Sequence, residues 1–137
     1  MKTAITLTSF DYDRLRALLD SPAGRTAPNG AILSDEIDRA DIIDPSAAPS
    51  DLVTMNSTVR FAIEGGDGET ESTLSFPRDA DKQDKPRISI LTPVGSALLG
   101  LQAGQNIEWR VPSGKTVTLR VIAVTWQPEA HGEDLGE

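Results

Sequence analysis

Apolar residues in this chain recur with a helical period up to about residue 43 and alternate with polar ones from residue 59 onward, with a proline-containing stretch between the two regimes. A spacing of three or four residues buries one stripe of a helix, whereas strict alternation buries one face of a strand. Exchanging the two patterns would turn apolar side chains toward water. The change of period therefore predicts an α+β fold, with helices first and a sheet second.

In the first regime a short strand opens the chain and Ser9 is placed to cap a helix carrying Tyr12, Leu15, Leu18 and Leu19 on one face. The segment from Ser21 to Gly30 holds two prolines and two glycines, which stop that helix and turn the chain. Leu33, Ile37, Ala40 and Ile43 form the stripe of a second helix, with Asp35, Glu36, Asp38, Arg39 and Asp41 on its other faces. The expected product is a short antiparallel helical hairpin, its arms about 17 and 21 Å long at 1.5 Å per residue. Asp44 to Ser50, with Pro45 and Pro49, is expected to act as a linker, which divides the chain into residues 1–50 and 51–137.

In the second regime Val59, Phe61 and Ile63 point to one side of a strand and Arg60 and Glu64 to the other. Gly65 to Gly68 turns the chain, Thr73 to Phe76 returns, and Arg87 to Leu91 supplies a third strand. Thr92 then caps a short helix with Pro93 in its first turn and Ala97, Leu98 and Leu99 along it; Gly100 and Gly104 bracket the exit. Two strands, Asn106 to Val111 and Thr116 to Val121, flank a tight turn at Pro112 to Lys115. The expectation is an antiparallel sheet with one helix on its apolar face.

Composition removes several chemistries. No cysteine is present, which excludes disulfides, thiolate metal sites and cysteine nucleophiles and fits a reducing cytoplasm. Twenty-one acidic against 13 basic residues give a charge of −8, which repels phosphate backbones and anionic lipid and favours a protein partner. No apolar run approaches the ~20 residues of a membrane span, and the N-terminal residues lack a signal-peptide core. His131, the one histidine, lies in a polar tail, a poor mount for a catalytic base. Gly95-Ser96-Ala97 lacks the glycines of a nucleophile elbow. Asp79, Asp81 and Asp84 lack the glycine and distal glutamate of a calcium loop, and Gly65-Gly66-Asp67-Gly68 lacks the Lys-Ser/Thr of a phosphate loop. Asp35, Glu36, Asp38 and Asp41 have no apolar pocket beside them and describe a solvated helix face. The residues therefore describe a non-enzymatic module with no cofactor and no metal.

The run Ile88 to Gly100, with Ala103-Gly104-Gln105 and Pro112-Ser113-Gly114-Lys115 after it, resembles the C-terminal domain of the Gre transcript-cleavage factors. Within that superfamily, Glu36 to Ala40, Val53 to Ser57 and Gln127 to Ala130 are similar to the smaller Rnk proteins, regulators of nucleoside diphosphate kinase. The resemblance implies an FKBP-like domain that docks on bacterial RNA polymerase near the secondary channel, with the helical hairpin directed toward that channel. Gre factors carry an acidic Gly-Asp-Leu-x-Glu-Asn motif at the tip of a longer hairpin, where it helps hold a catalytic magnesium. Residues 20–27 here read Asp-Ser-Pro-Ala-Gly-Arg-Thr-Ala, so the motif is absent and transcript cleavage is not carried over.

What the resemblance implies is a polymerase-binding regulator that occupies the Gre site without stimulating cleavage, competes with Gre factors and affects nucleoside diphosphate kinase levels. It involves no sequence-specific nucleic acid and no membrane. The candidate contact residues are Asp20 and Arg25 at the hairpin tip and Thr92, Pro93 and Ser96 on the capped helix, with Ser96 expected to be exposed. The rival reading is a peptidyl-prolyl isomerase of the FKBP type, which needs an aromatic-lined pocket from a chain that is 4% aromatic.

Overall fold

A computed structural model describes residues 5–28, 30–64, 68–80, 82, 84–110, 114–128 and 130, with backbone alone for residues 109 and 110. Residues 65–67 of the turn expected at Gly65 to Gly68, residues 112 and 113 of the one expected at Pro112 to Lys115, and Asp81 and His131 lie outside the described residues. The fold is mixed α and β, helices preceding the main sheet as the change of period predicts.

Strand β1 (Thr6–Thr8) leads directly into helix α1 (Ser9–Asp20). The cap is Thr8, not the expected Ser9: the Thr8 hydroxyl accepts the Asp11 N–H at 3.0 Å, and Ser9 is already helical. Pro22 ends α1 and starts a short helix α2 (Pro22–Thr26), capped by Ser21 Oγ accepting the Gly24 N–H at 3.4 Å. Helix α3 (Gly30–Asp38) follows, and strand β2 (Asp41–Ile43) then pairs in parallel with β1, Leu7 opposite Ile42. The two-helix hairpin is thus corrected to three helices and a strand. Helix α3 stops before Ala40 because Asp41-Ile42-Ile43 answers the open backbone edge of β1, with the Asp41 N–H donating to Ile5 O at 2.8 Å. Leu15, Leu19, Leu33 and Ile37 are buried as expected, and Tyr12, Leu18 and Ala40 pack partly against them.

The proline-rich stretch contains a 3-10 turn at Pro45–Ala47. Five strands then form the main sheet: β3 (Thr58–Ile63), β4 (Glu69–Ser75), β5 (Arg87–Ser89), β6 (Asn106–Arg110) and β7 (Thr116–Trp126), in the order β5-β4-β3-β7-β6. Three pairings are antiparallel, but β5 runs parallel to β4, a correction to the all-antiparallel expectation. A parallel neighbour needs a crossover. Helix α4 (Pro77–Ala80), unforeseen in the sequence, and the residues after it carry the chain back to the same end of the sheet. Val59, Phe61, Leu74, Leu119 and Val121 fill the inner face, while exposed Arg60 lies opposite Glu71 on the outer one.

Helix α5 (Pro93–Leu98) buries Ala97 and Leu98, and Leu99 and Leu101 are buried just beyond it. Gly100 turns the chain at a φ of +80°, and a Cβ there would lie 2.5 Å from that of Ile5. The N-terminal strand is thereby seated on the exit of α5, and apolar side chains from Ile5 to Val121 form one continuous core.

Gly95 sets how closely α5 approaches the sheet, since a Cβ there would stand 2.0 Å from Ser89 O, a backbone atom that cannot turn aside. Gly95→Ala is expected to cost about 1–3 kcal/mol by overpacking, read as a lower urea midpoint with an unchanged slope. A midpoint equal to that of the parent would contradict this packing.

Candidate functional site

At the helical end of the molecule, α2 lies tightly across the last turn of α1: a Cβ on Gly24 would meet Leu18 O at 2.3 Å and Leu19 Cα at 2.5 Å. This close approach brings two of the expected contact residues together. Asp20 ends α1 with an exposed carboxylate, and Arg25, also exposed, donates from Nε to the Asp20 carbonyl at 3.0 Å. Beside them Arg16 donates to Asp38 Oδ1 and, at 2.8 Å, to Ser34 Oγ, and its Nη2 stands 4.0 Å from Asp20 Oδ1. The Arg16 guanidinium therefore pairs with Asp38, at the end of α3 next to β2, and stands 4.0 Å from Asp20 at the end of α1. Among the described residues no group of three or more His, Cys, Asp and Glu side chains is placed to hold a metal ion.

The other three expected residues belong to α5. Thr92 is its cap, accepting the Gly95 N–H at 3.0 Å and donating from Oγ1 to Ser89 O at 2.7 Å. Pro93 occupies the first turn and is exposed. Ser96 is 5% exposed, not the open contact expected of it, because the fourth residue of this short helix is buried with Gly95 and Ala97 where the helix meets the core. Thr92 and Ser96 thus build the helix, and Pro93 alone of the three presents its side chain to solvent. The two groups sit in different halves of the chain, at the end of the helices and beside the sheet.

A buried carboxylate joins those halves. Asp11, in the first turn of α1, is 1% exposed. Its Oδ2 accepts the Met55 N–H at 3.0 Å across 44 positions of sequence, and its Oδ1 accepts from Arg14 Nη2 at 2.8 Å. The Arg14 guanidinium lies between two rings, 4.3 Å from the centre of Phe10 and 4.8 Å from that of Phe76. Burial pushes the Asp11 carboxyl above its ordinary value, opposed by the Met55 N–H, by Arg14 and by Thr8. Met55 is presented by a tight turn: Asn56 has a φ of +68°, and Ser57 Oγ accepts the Thr54 N–H at 3.0 Å.

Sequence reasoning passed over Asp11, although Thr8 and Asp11 stand at capping-box spacing, three apart before an apolar run. That pattern directs a carboxylate back to its own helix cap. Here it reaches across to Met55 instead, and nothing local announces so distant a donor.

Asp11→Ala leaves the Met55 N–H and the Arg14 charge unanswered and is expected to cost about 3 kcal/mol in chemical unfolding. The titration has a definite sign. Since the folded-state pKa lies above the ordinary 3.8, the proton is held more tightly in the folded protein. The contribution of the acid form is complete below that value and is lost as pH rises through the folded-state pKa. The stability of the parent relative to Asp11→Asn should therefore fall with rising pH over the interval starting near pH 3.8, and a difference independent of pH there would contradict the burial.

Comparison with known proteins places these features in context. The family described as "Transcription elongation factor, GreA/GreB, C-term" matches residues 48–126, and the one described as "Rnk N-terminus" matches residues 3–43. The chain is 38% identical over 135 residues to the Regulator of nucleoside diphosphate kinase of Escherichia coli K12, covering 98% of both proteins. It is 32% identical over 117 residues to the transcription elongation factor GreA of Azorhizobium caulinodans, covering 85% of this chain and 70% of that one. Among solved structures, a prokaryotic GreA/GreB transcription elongation factor from Nitrosomonas europaea aligns with a TM-score of 0.71 at 43% identity, covering 91% of this chain and all of the other.

Proposed function

The chain belongs to the GreA/GreB family and carries its Rnk-type N-terminus, and from that membership we propose that it binds bacterial RNA polymerase at the Gre-factor site near the secondary channel without stimulating transcript cleavage. Its relatives are named as regulators and transcription factors. The sheet with α5 serves as the FKBP-like docking half, residues 51–137, and α1 to α3 form the arm, residues 1–50. Bound there, the protein competes with Gre factors, and its effect on nucleoside diphosphate kinase is exerted through transcription. Among the described residues no helix is long and apolar enough to cross a membrane; the proposed partner, RNA polymerase, sets the cytoplasm as the place of action.

The observation that carries this reading is the state of the acid at the end of the arm. Arg16 pairs with Asp38 and stands 4.0 Å from Asp20, and Arg25 bonds the Asp20 carbonyl, so guanidinium groups flank the acid at the end of α1. A divalent cation would have to approach that carboxylate against their positive charge. The arm is also short: the 12 residues of α1 reach about 18 Å. Such an arm blocks or crowds a channel rather than delivering a metal through it. Asp20 and Arg25 are the contacts proposed at the arm, and Pro93 with the turn that Thr92 and Ser96 build is the one proposed beside the sheet. The isomerase reading finds no support in the aromatic residues of the core, since Phe61 is buried in the core and the Phe76 ring is buried against the Arg14 guanidinium.

Two measurements follow. Core polymerase with a labelled Gre factor should lose that label to this protein at micromolar concentration, and nascent-RNA cleavage in stalled complexes should slow as it is added. Failure to bind, or faster cleavage, would overturn the proposal. Arg25→Glu reverses an exposed charge without touching the core and is expected to weaken polymerase binding about tenfold, or 1.4 kcal/mol, while leaving the unfolding midpoint close to that of the parent.

A further inference from the structure

We infer that Asp11, Arg14, Met55 and Phe76 form a clasp that holds the helical half and the sheet half of this chain at one angle, and that opening the clasp frees the two halves to swing about residues 44–48. This inference concerns the free protein and goes beyond the polymerase-binding reading.

Three observations carry it. First, the elements between Thr6 and Ile43 pack chiefly with one another, and those between Thr58 and Trp126 likewise. One apolar core runs through both halves, and the directional connections across it are the hydrogen bond from the Met55 N–H to Asp11 Oδ2 and the Arg14 guanidinium over Phe76.

Second, the chain is fastened to the sheet half from Asp51 onward. Val53 N–H donates to Leu101 O at 2.8 Å, Gly100 N–H to Val53 O at 3.0 Å and Ala103 N–H to Asp51 O at 3.1 Å. The Gln127 side chain donates to Pro49 O and Leu52 O at 2.7 and 2.8 Å. Met55 is therefore a fixed point of the sheet half, as Asp11 is of α1. Between them the stretch from Asp44 to Ala48 has only a 3-10 turn, whose backbone bonds are made within the turn itself. The place where the chain bends most readily thus lies upstream of Asp51.

Third, the two kinds of contact differ in what they constrain. Apolar contact is non-directional and tolerates sliding. A charge-assisted hydrogen bond and a guanidinium held between two ring faces do not. Phe10 belongs to the helical half and Phe76 to the sheet half, so the Arg14 plane has one ring from each. The groups facing the Asp11 carboxylate are the Arg14 guanidinium, the Met55 N–H and the Thr8 cap. Removing the carboxylate leaves the aliphatic contacts in place but removes what orients them.

The chain has no cysteine, so Ala31→Cys on α3 and Thr116→Cys at the start of β7, both exposed, accept a pair of spin labels in the full-length protein. Pulsed electron paramagnetic resonance between them is expected to give one narrow distance distribution. Adding Asp11→Ala should abolish the single peak while far-UV circular dichroism and the amide signals of β3 and β7 are retained. If Asp11→Ala fails to fold, Arg14→Met decides: it keeps an aliphatic stem between Phe10 and Phe76 but lacks the ion pair, and it too should broaden the distribution. A folded variant with the narrow distribution of the parent overturns the inference, as does a parent distribution that is broad from the outset. Neither outcome bears on polymerase binding, which is measured separately.

Discussion

A carboxylate taken out of water needs partners for its lone pairs, and those of Asp11 come from both halves of the chain. Arg14 is one turn along the same helix, but the Met55 N–H belongs to a turn that is itself stitched to β4 through Asn56, Ser57 and Leu74 and to the exit of α5 through Val53 and Gly100. Once the carboxylate is in place, the first turn of α1 cannot move relative to that turn without leaving a buried acceptor and a buried donor unanswered. Several other features depend on this geometry. Arg14 is aimed at Phe76 because Asp11 holds its Nη2, and Ile5 descends onto Gly100 because β1 leads straight into the helix that Asp11 anchors. Replacing a buried pair of this sort by apolar groups can leave stability unchanged; what the pair supplies here is direction.

That anchoring gives the helical end its character. Helices α1, α2 and α3 fold against one another, with Gly24 allowing α2 to lie on the backbone of α1 and Arg16 drawing Asp20 and Asp38 toward one charge. Around the end of α1, Arg16 and Arg25 stand beside Asp20. The net charge of −8 then acts through the surface as a whole, favouring basic protein surfaces over nucleic acid.

Much of the fold was legible because periodicity is enforced by burial. Leu15, Leu19, Leu33 and Ile37 repeat at helical spacing and are buried; Val59 and Phe61 alternate with Arg60 and face inward. The Thr92-Pro93 cap was also legible, since a hydroxyl before a proline has few other local uses. What escaped the sequence depends on distant partners. Asp41-Ile42-Ile43 continues a helical stripe on paper but pairs with β1, whose open edge is invisible in a window of a dozen residues. Strand β5 alternates equally well in either direction, and the crossover through α4 decides that it runs parallel to β4. Ser96 looks like a surface hydroxyl until the close approach imposed by Gly95 turns that side of α5 inward. Of the candidate contacts, Asp20 and Arg25 lie beside each other at the end of α1, whereas Asp11 was missed because its donor lies 44 residues away.

The most direct measurement of the central interaction is hydrogen exchange at the Met55 amide in the intact protein. Met55 lies in no strand or helix, so its N–H would ordinarily exchange at the rate of a loop, yet here it donates to a carboxylate that is 1% exposed. Protection of the Met55 N–H comparable to that of the central β3 and β7 amides is the result predicted by this account. Exchange as fast as that of an open turn would show that the Asp11 carboxylate does not hold the two halves of the protein together.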